Sequence, residues 1–182
     1  MTAARGATAG GAEERAPSVI HEPPAPVEVA RFREVLGHFA TGITVVTAME
    51  EAEPVGFTCQ AFTSLSLEPP LIALAPGKSS TSWPRIRAAG RFGVNILADD
   101  QEALCRDFAV SGGDKFVSVQ WQPGRNGAPR LAGSLAWVEC DVVLIHDAGD
   151  HELVIGQVTA IDVDHERTPL LYYRGGFGRF TP

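Results

Sequence analysis

The sequence predicts a mainly β domain, a small antiparallel barrel flanked by a few short helices. Three observations carry this prediction. About seven stretches rich in β-branched and aromatic residues alternate apolar with polar positions, as half-buried strands do. Turn residues separate most of them at short range, which puts neighbouring strands in hairpin order. Apolar residues at helical spacing occur only in short runs, without the regular β-α-β alternation of a doubly wound sheet. At 182 residues the chain is long enough for one domain with a full core and hardly for two.

Residues 1–27 are Ala, Gly, Pro and Glu with little periodic apolar content, and a disordered tail is expected there, ahead of a domain over 28–182. Order is expected from EVARFREVLGHFA, where Val29, Phe32, Leu36 and Phe39 give a helix with one apolar face. GITVVTAM (42–49) is strand-like, EEAEP turns the chain, and VGFTCQAF returns as the second strand of a hairpin. Pro69 and Pro70 interrupt the ladder before LIALA (71–75).

A short helix is expected in KSSTSWPRIRAAG, with Ser80 as its N-cap and Gly90 beyond its last turn. RFGVNILA (91–98) is another strand, and Asp99 with Glu102 has the capping-box spacing that opens a helix through Leu104 and Phe108. Residues 111–130 read as loop. SLAWVECDVVLIH (134–146) and HELVIGQVTAIDV (151–163) are long strands joined through DAGD, and PLLYYRG is the last short strand. No internal repeat is visible.

Composition excludes several classes of function. The chain is 45% hydrophobic and 20% charged, as globular domains are, and its formal net charge is -7. That charge repels nucleic acid and anionic membranes, so neither is expected as a partner. Cys59, Cys105 and Cys140 are dispersed without a C-x-x-C pair, which suggests buried thiols in a reducing compartment. No secretory h-region and no apolar span of membrane length are present, so the cytoplasm is the expected location. Dinucleotide-fold glycines, the Walker sequence, G-x-S-x-G and H-E-x-x-H are all missing.

Four segments carry chemistry, each with a plainer structural reading beside it. GFTCQAFTSLSLEPP (56–70) places Thr58, Gln60, Thr63, Ser64 and Ser66 at its polar positions instead of Lys or Glu. Short hydroxyls and approachable backbone suit the carbonyl edge of a flat isoalloxazine, or else simply follow β-propensity. In GKSSTSW (77–83), Lys78 is one of only two lysines, and Ser79, Ser80 and Thr81 precede a helix, an arrangement that receives phosphate or merely caps the helix. The other lysine, Lys115, sits in the Gly-rich GGDKF loop. HDAGDHE (146–152) could hold a metal, although turn chemistry accounts for its Asp and Gly, and no metal site is assigned. His151 there reads as a ligand contact or a bond closing the turn. Tyr172, Tyr173, Arg174 and Gly175 suit a stacked aromatic ligand beside a pyrophosphate, or a strand with one Tyr on each face.

Taken in order, GITVVT, PVGFTCQAFTSLSLEPPL, KSSTSW, AGRFGVNIL, DKF, GDH and PLLYYRGG resemble the short-chain flavin reductases, over about residues 29–176. These are the reductase components of two-component flavin-dependent monooxygenases. The ordered set carries the resemblance, and no single motif does. The resemblance implies a homodimeric, Greek-key split β-barrel of the FMN-binding type, with no Rossmann unit. It implies that Thr58, Cys59, Gln60, Ala61, Phe62, Ser64 and Leu65 hold the isoalloxazine and ribityl region. Ser79, Ser80 and Thr81 take the phosphate, with Lys115 as a further cofactor contact. His151, Tyr172, Tyr173, Arg174 and Gly175 form the nicotinamide-nucleotide side, where His151 orients the carboxamide at the reacting centre.

The closest likeness, in GFTCQAF and SLSLEPP, is to members using FAD and NADH, with FMN as the other flavin. The implied activity is NADH-dependent reduction of FAD and release of reduced flavin to a partner flavin-dependent monooxygenase. Two other functions compete: an electron-transfer flavoprotein holding FMN tightly on the same barrel, and a non-enzymatic module binding another planar ligand. Flavin that survives dialysis would mark the first, and failure to bind any flavin the second.

Overall fold

The computed structural model describes residues 26–181. The tail expected over residues 1–27 therefore lies outside the described residues except for Pro26 and Val27. The described chain opens with helix α1 (Val29–Leu36), a two-residue strand β1 (Thr41–Gly42), and the hairpin of β2 (Thr44–Glu50) with β3 (Glu53–Cys59). A second hairpin pairs β4 (Phe62–Leu67) with β5 (Pro70–Leu74) around Glu68 and Pro69. Helix α2 (Trp83–Ala89), strand β6 (Arg91–Ile96) and helix α3 (Glu102–Ala109) follow. A small hairpin of β7 (Trp121–Pro123) and β8 (Pro129–Leu131) precedes two strands of 13 residues each, β9 (Ala136–Ala148) and β10 (His151–Val163). The last strands described are β11 (Leu170–Tyr173) and β12 (Gly176–Arg179), which pair with each other, and β11 pairs with β1 on its other side.

Seven strands make one antiparallel sheet in the order β3-β2-β6-β9-β10-β5-β4. Its two edge strands, β3 and β4, are consecutive in the chain and separated only by Gln60 and Ala61. Three peptide units reach roughly 11 Å at most, so the sheet curls until its edges nearly meet. No ladder joins β3 to β4, and the barrel stays split along that seam. The fold is thus the mainly β barrel expected. Val46, Phe57, Leu74, Phe92, Cys140 and Val154 fill one end of the core together with Trp83 and Ile86 of α2. Ile43, Val45, Leu97, Phe108 and Leu131 fill the other. Buried Glu139 accepts hydrogen bonds from the backbone N–H groups of Arg125 and Asn126, which fixes the loop before β8 to the sheet.

Several sequence expectations are corrected here. GFTCQAFTSLSLEPP is not one strand: its two halves lie at opposite edges of the sheet, because barrel curvature breaks the chain at Gln60 and Ala61. Ser80 does not occupy the N-cap of α2, which is Ser82; the Ser80 hydroxyl instead accepts a hydrogen bond from Trp83 N at 3.1 Å. Gly90 does close that helix, in the left-handed conformation. The Asp99–Glu102 capping box does not form, since α3 starts two residues later, with Gln101 as its N-cap, and the Asp99 N–H goes to the Thr168 carbonyl. Loop 111–130 contains the β7–β8 hairpin, and one more strand follows Tyr173. The apolar face of α1 buries none of its residues. All three cysteines are free and buried, as expected.

Candidate active site

A cleft of about 840 Å³ opens over the seam of the barrel. The β3–β4 crossing forms its floor from Phe57 to Thr63, and residues 77 and 79–82 form one wall. The end of α3 with the loop behind it forms another, and the tip of the β9–β10 hairpin contributes His151 and Leu153. Four parts of the sequence, spread from Phe57 to Leu153, thus meet because the sheet closes on itself.

Each wall is held mostly by hydrogen bonds between segments distant in sequence. Thr58 Oγ1 donates to the Cys105 carbonyl at 2.6 Å, tying the floor to α3, and Gln60 Nε2 donates to Thr41 Oγ1 at 2.9 Å. Lys78 N donates to the Asp150 carbonyl and Glu152 N to the Pro76 carbonyl, so the 77–82 loop and the hairpin tip are one unit. Glu152 strengthens that unit by accepting from Trp83 Nε1 at 2.6 Å and Arg87 Nη1 at 2.9 Å. His151 Nδ1 lies 2.7 Å from Asp150 Oδ1, and this contact holds the carboxyl of Asp150 below its ordinary range. Asp150 thereby orients the ring, whose Nε2 faces Gly77: a Cβ at that glycine would lie 3.7 Å from it.

The electrostatics of the cleft are simple. No carboxylate lines it, although the chain carries a net charge of -7, and its charged side chain is Lys115. The Lys115 ammonium donates to the carbonyls of Phe108 at 3.0 Å and Gly56 at 3.2 Å, and burial lowers its pKa. Burial pushes the Cys59 thiol up to about 11, so it is neutral at physiological pH and acts as a small apolar surface, not a nucleophile. Flat apolar walls, hydroxyls along one side and a single cation suit a planar ligand carrying phosphate.

Of the residues expected to act, Thr58, Cys59, Gln60, Ala61, Phe62, Ser79, Ser80, Thr81, Lys115 and His151 line this cleft. Ser64 and Leu65 lie farther along β4, outside it. Tyr172 and Gly175 border a smaller cavity of about 300 Å³ behind Thr58 and Gln60, and Tyr173 and Arg174 border neither. Lys78 is turned away, its ammonium on the Asp147 carboxylate and the Gly149 carbonyl. No group of three or more His, Cys, Asp or Glu gathers as a metal site among the described residues.

Sequence reasoning missed Phe32, Phe39, Phe108 and Leu153, which also line the cleft. Helical or alternating periodicity marks such residues as seeking cover and does not distinguish a core from a ligand.

Comparison with known proteins agrees with this architecture. Residues 36–181 match the family model of the flavin reductase like domain, and the chain belongs to that family of NAD(P)H:flavin oxidoreductases. It is 43% identical over 156 residues to the flavin-dependent monooxygenase reductase subunit HsaB of Rhodococcus jostii, covering 86% of this chain and 80% of that one. To a flavin reductase of Pseudomonas putida it is 46% identical, covering 82% and 88%. Among solved structures it is similar to nitrilotriacetate monooxygenase component B of Mycobacterium thermoresistibile, at a TM-score of 0.81 and 45% identity over 84% and 87% of the two chains. It is similar too to the Streptomyces globisporus NADH:FAD oxidoreductase SgcE6 in complex with NAD and FAD fragments, at a TM-score of 0.82 and 37% identity over 89% and 98%.

Proposed function

We propose that this flavin reductase takes hydride from NADH to FAD and releases reduced flavin to a partner flavin-dependent monooxygenase. The observation that carries the reading is the carboxylate-free cleft over the barrel seam, with Lys115 and the Ser79–Thr81 hydroxyls on its polar side and His151 at its mouth. The relatives' names, which include reductase subunits of monooxygenases and an NADH:FAD oxidoreductase, point the same way.

The cleft fits a flavin. Thr58, Cys59, Gln60, Ala61 and Phe62, with Ser64 and Leu65 farther along β4, hold the isoalloxazine and ribityl region. Ser79, Ser80 and Thr81 receive the phosphate. His151, with its ring oriented by Asp150, positions the nicotinamide carboxamide, and Tyr172, Tyr173, Arg174 and Gly175 support the rest of that nucleotide. Hydride leaves C4 of the nicotinamide for N5 of the flavin, with two electrons moving and NAD⁺ left behind. The chain's own task is to stack two rings and exclude water between them. No general base is required.

Phe39, at the rim beyond the end of α1, is 73% exposed, which leaves the mouth open for flavin exchange. Exposed apolar residues along α1 support a homodimer in which a second copy covers that helix. No helix among the described residues is long and apolar enough to cross a membrane, and the three free thiols suit a reducing compartment such as the cytoplasm.

The test is NADH oxidation by purified protein with FAD, FMN or riboflavin added separately. Turnover that saturates with added flavin supports the proposal. Bound flavin that survives dialysis without reducing free flavin would replace it with an electron carrier. His151→Ala is expected to raise KM for NADH about tenfold or more while flavin affinity changes little; equal losses would refute the division of roles.

A further inference from the structure

The tip of the β9–β10 hairpin reaches beyond the sheet that carries it. Strand β5 pairs with β10 only from Val154 to Gln157, so His151, Glu152 and Leu153 keep β9 alone as a full ladder partner. A ribbon of two strands is marginal without a further surface to lie on. The backbone supplies little of one: the Lys78 N–H to the Asp150 carbonyl and the Glu152 N–H to the Pro76 carbonyl, which together bridge Gly77 to His151.

Side chains alternate along the tip. His151 and Leu153 line the cleft, and Glu152 between them does not. Its carboxylate turns to helix α2, where each oxygen has a partner. Oε2 accepts from Trp83 Nε1 at 2.6 Å and Oε1 from Arg87 Nη1 at 2.9 Å. Trp83 and Arg87 are four residues apart and so share one face of the helix. Because Trp83 is 3% exposed and packed in the core, its bond anchors the tip to the interior of the barrel.

Lys78 braces the other strand of the tip, with its ammonium on the Asp147 carboxylate and the Gly149 carbonyl. That brace is the weaker of the two. The Asp147 side chain is 80% exposed and that of Glu152 18%, and solvent screens an exposed ion pair far more than a covered one. The bond of His151 itself, to Asp150, runs to a neighbour on the same tip, so it fixes the ring relative to the tip and not relative to the cleft. Where the ring stands against the 77–82 loop is set by what holds the tip to α2. The spacing there is close: a Cβ at Gly77 would lie 3.7 Å from both His151 Nε2 and Ser79 Oγ.

From this arrangement we infer that Glu152 is a positioning residue, which through Trp83 and Arg87 sets where His151 meets the nicotinamide while touching neither nucleotide. The inference rests on the reading of His151 as the carboxamide contact. A double-mutant cycle between Glu152 and His151 tests it, measured as steady-state NADH oxidation with added FAD. Glu152→Ala is expected to lower kcat/KM for NADH about tenfold while the KM for flavin stays within about twofold. Made in a His151→Ala background, the same substitution is expected to change kcat/KM for NADH by less than about twofold, because the ring it positions is gone. Glu152→Gln keeps the side chain's shape and its bond from Trp83, and is expected to lose about threefold; it carries the same cycle should the alanine variant fail to fold. Losses that add in the double variant, equal losses for NADH and flavin, or an unchanged kcat/KM in the Glu152 variant would each overturn the inference. Undiminished kcat/KM for NADH in His151→Ala alone would instead overturn the reading of His151, and this inference with it.

Discussion

Helices α1 and α3 are both eight residues long, and both carry an acid–arginine pair along one side, Arg31 with Glu34 and Glu102 with Arg106. Their apolar faces meet different fates. In α3, Cys105 and Phe108 are buried; in α1, nothing is, and Val29, Phe32, Val35 and Leu36 remain between 49% and 63% exposed. Helix α3 presses onto β3 where Gly56 leaves room: a Cβ there would lie 2.8 Å from Phe108 Cε1. Helix α1 is tied back only after its end, by Arg174 N donating to the Gly37 carbonyl and by His38 against the edge of Tyr173. Helices this short are marginal alone, so each needs a surface to lie on. Periodicity states which face seeks cover and leaves open whose surface supplies it.

That contrast can be broken or sharpened by experiment. The largest effect is expected from Phe108→Ala, which empties a fully buried site and should lower the unfolding free energy by about 3–5 kcal/mol in urea titration. A loss below 1 kcal/mol would show that α3 is no better seated than α1. Gly56→Ala forces a methyl against Phe108 and the Val46 carbonyl, 3.0 Å from the added Cβ, and is expected to destabilise by about 1–3 kcal/mol. An unchanged midpoint would mean that α3 yields easily.

Next comes Val35→Asp, on the exposed face of α1 and outside the cleft. It is expected to weaken self-association about tenfold or more, seen by sedimentation across a concentration series. A protein that is monomeric throughout would remove the second copy as the cover for α1.

The smallest effect is a pH dependence. Burial lowers the Lys115 pKa from 10.5, so as pH rises its proton is lost before that of an ordinary lysine. Affinity for FAD should therefore fall as pH climbs through the window just below 10.5, while riboflavin affinity should not. Because Lys115 also binds the Phe108 carbonyl at the end of α3, parallel loss of both affinities would point to loosening of that helix and not to a missing charge.

Much of the site was legible in the chain. Short hydroxyls in Thr58–Ser66, the serines of GKSSTSW and the His151 turn all mark positions where ordinary surface would carry Lys or Glu, and ten of the expected residues line one cleft. Phe32 and Phe108 were not legible as cleft residues, because an apolar side chain looks the same whether it faces a core or a ligand. Lys78 and Lys115 read alike in sequence, each near glycine, yet one pairs with Asp147 and the other lines the cleft on two backbone carbonyls.

Local chemistry by itself determined the strands, the long hairpin's turn and the helical faces, since β-branching, the Gly149–Asp150 turn and 3.6-residue spacing act within a few residues of themselves. Only the tertiary structure decided that Gln60 and Ala61 step from one edge of the sheet to the other. Nothing in those two residues encodes the step. It follows from the accumulated twist of seven strands, which brings β3 and β4 within reach and opens, along the seam between them, the cleft on which the function rests.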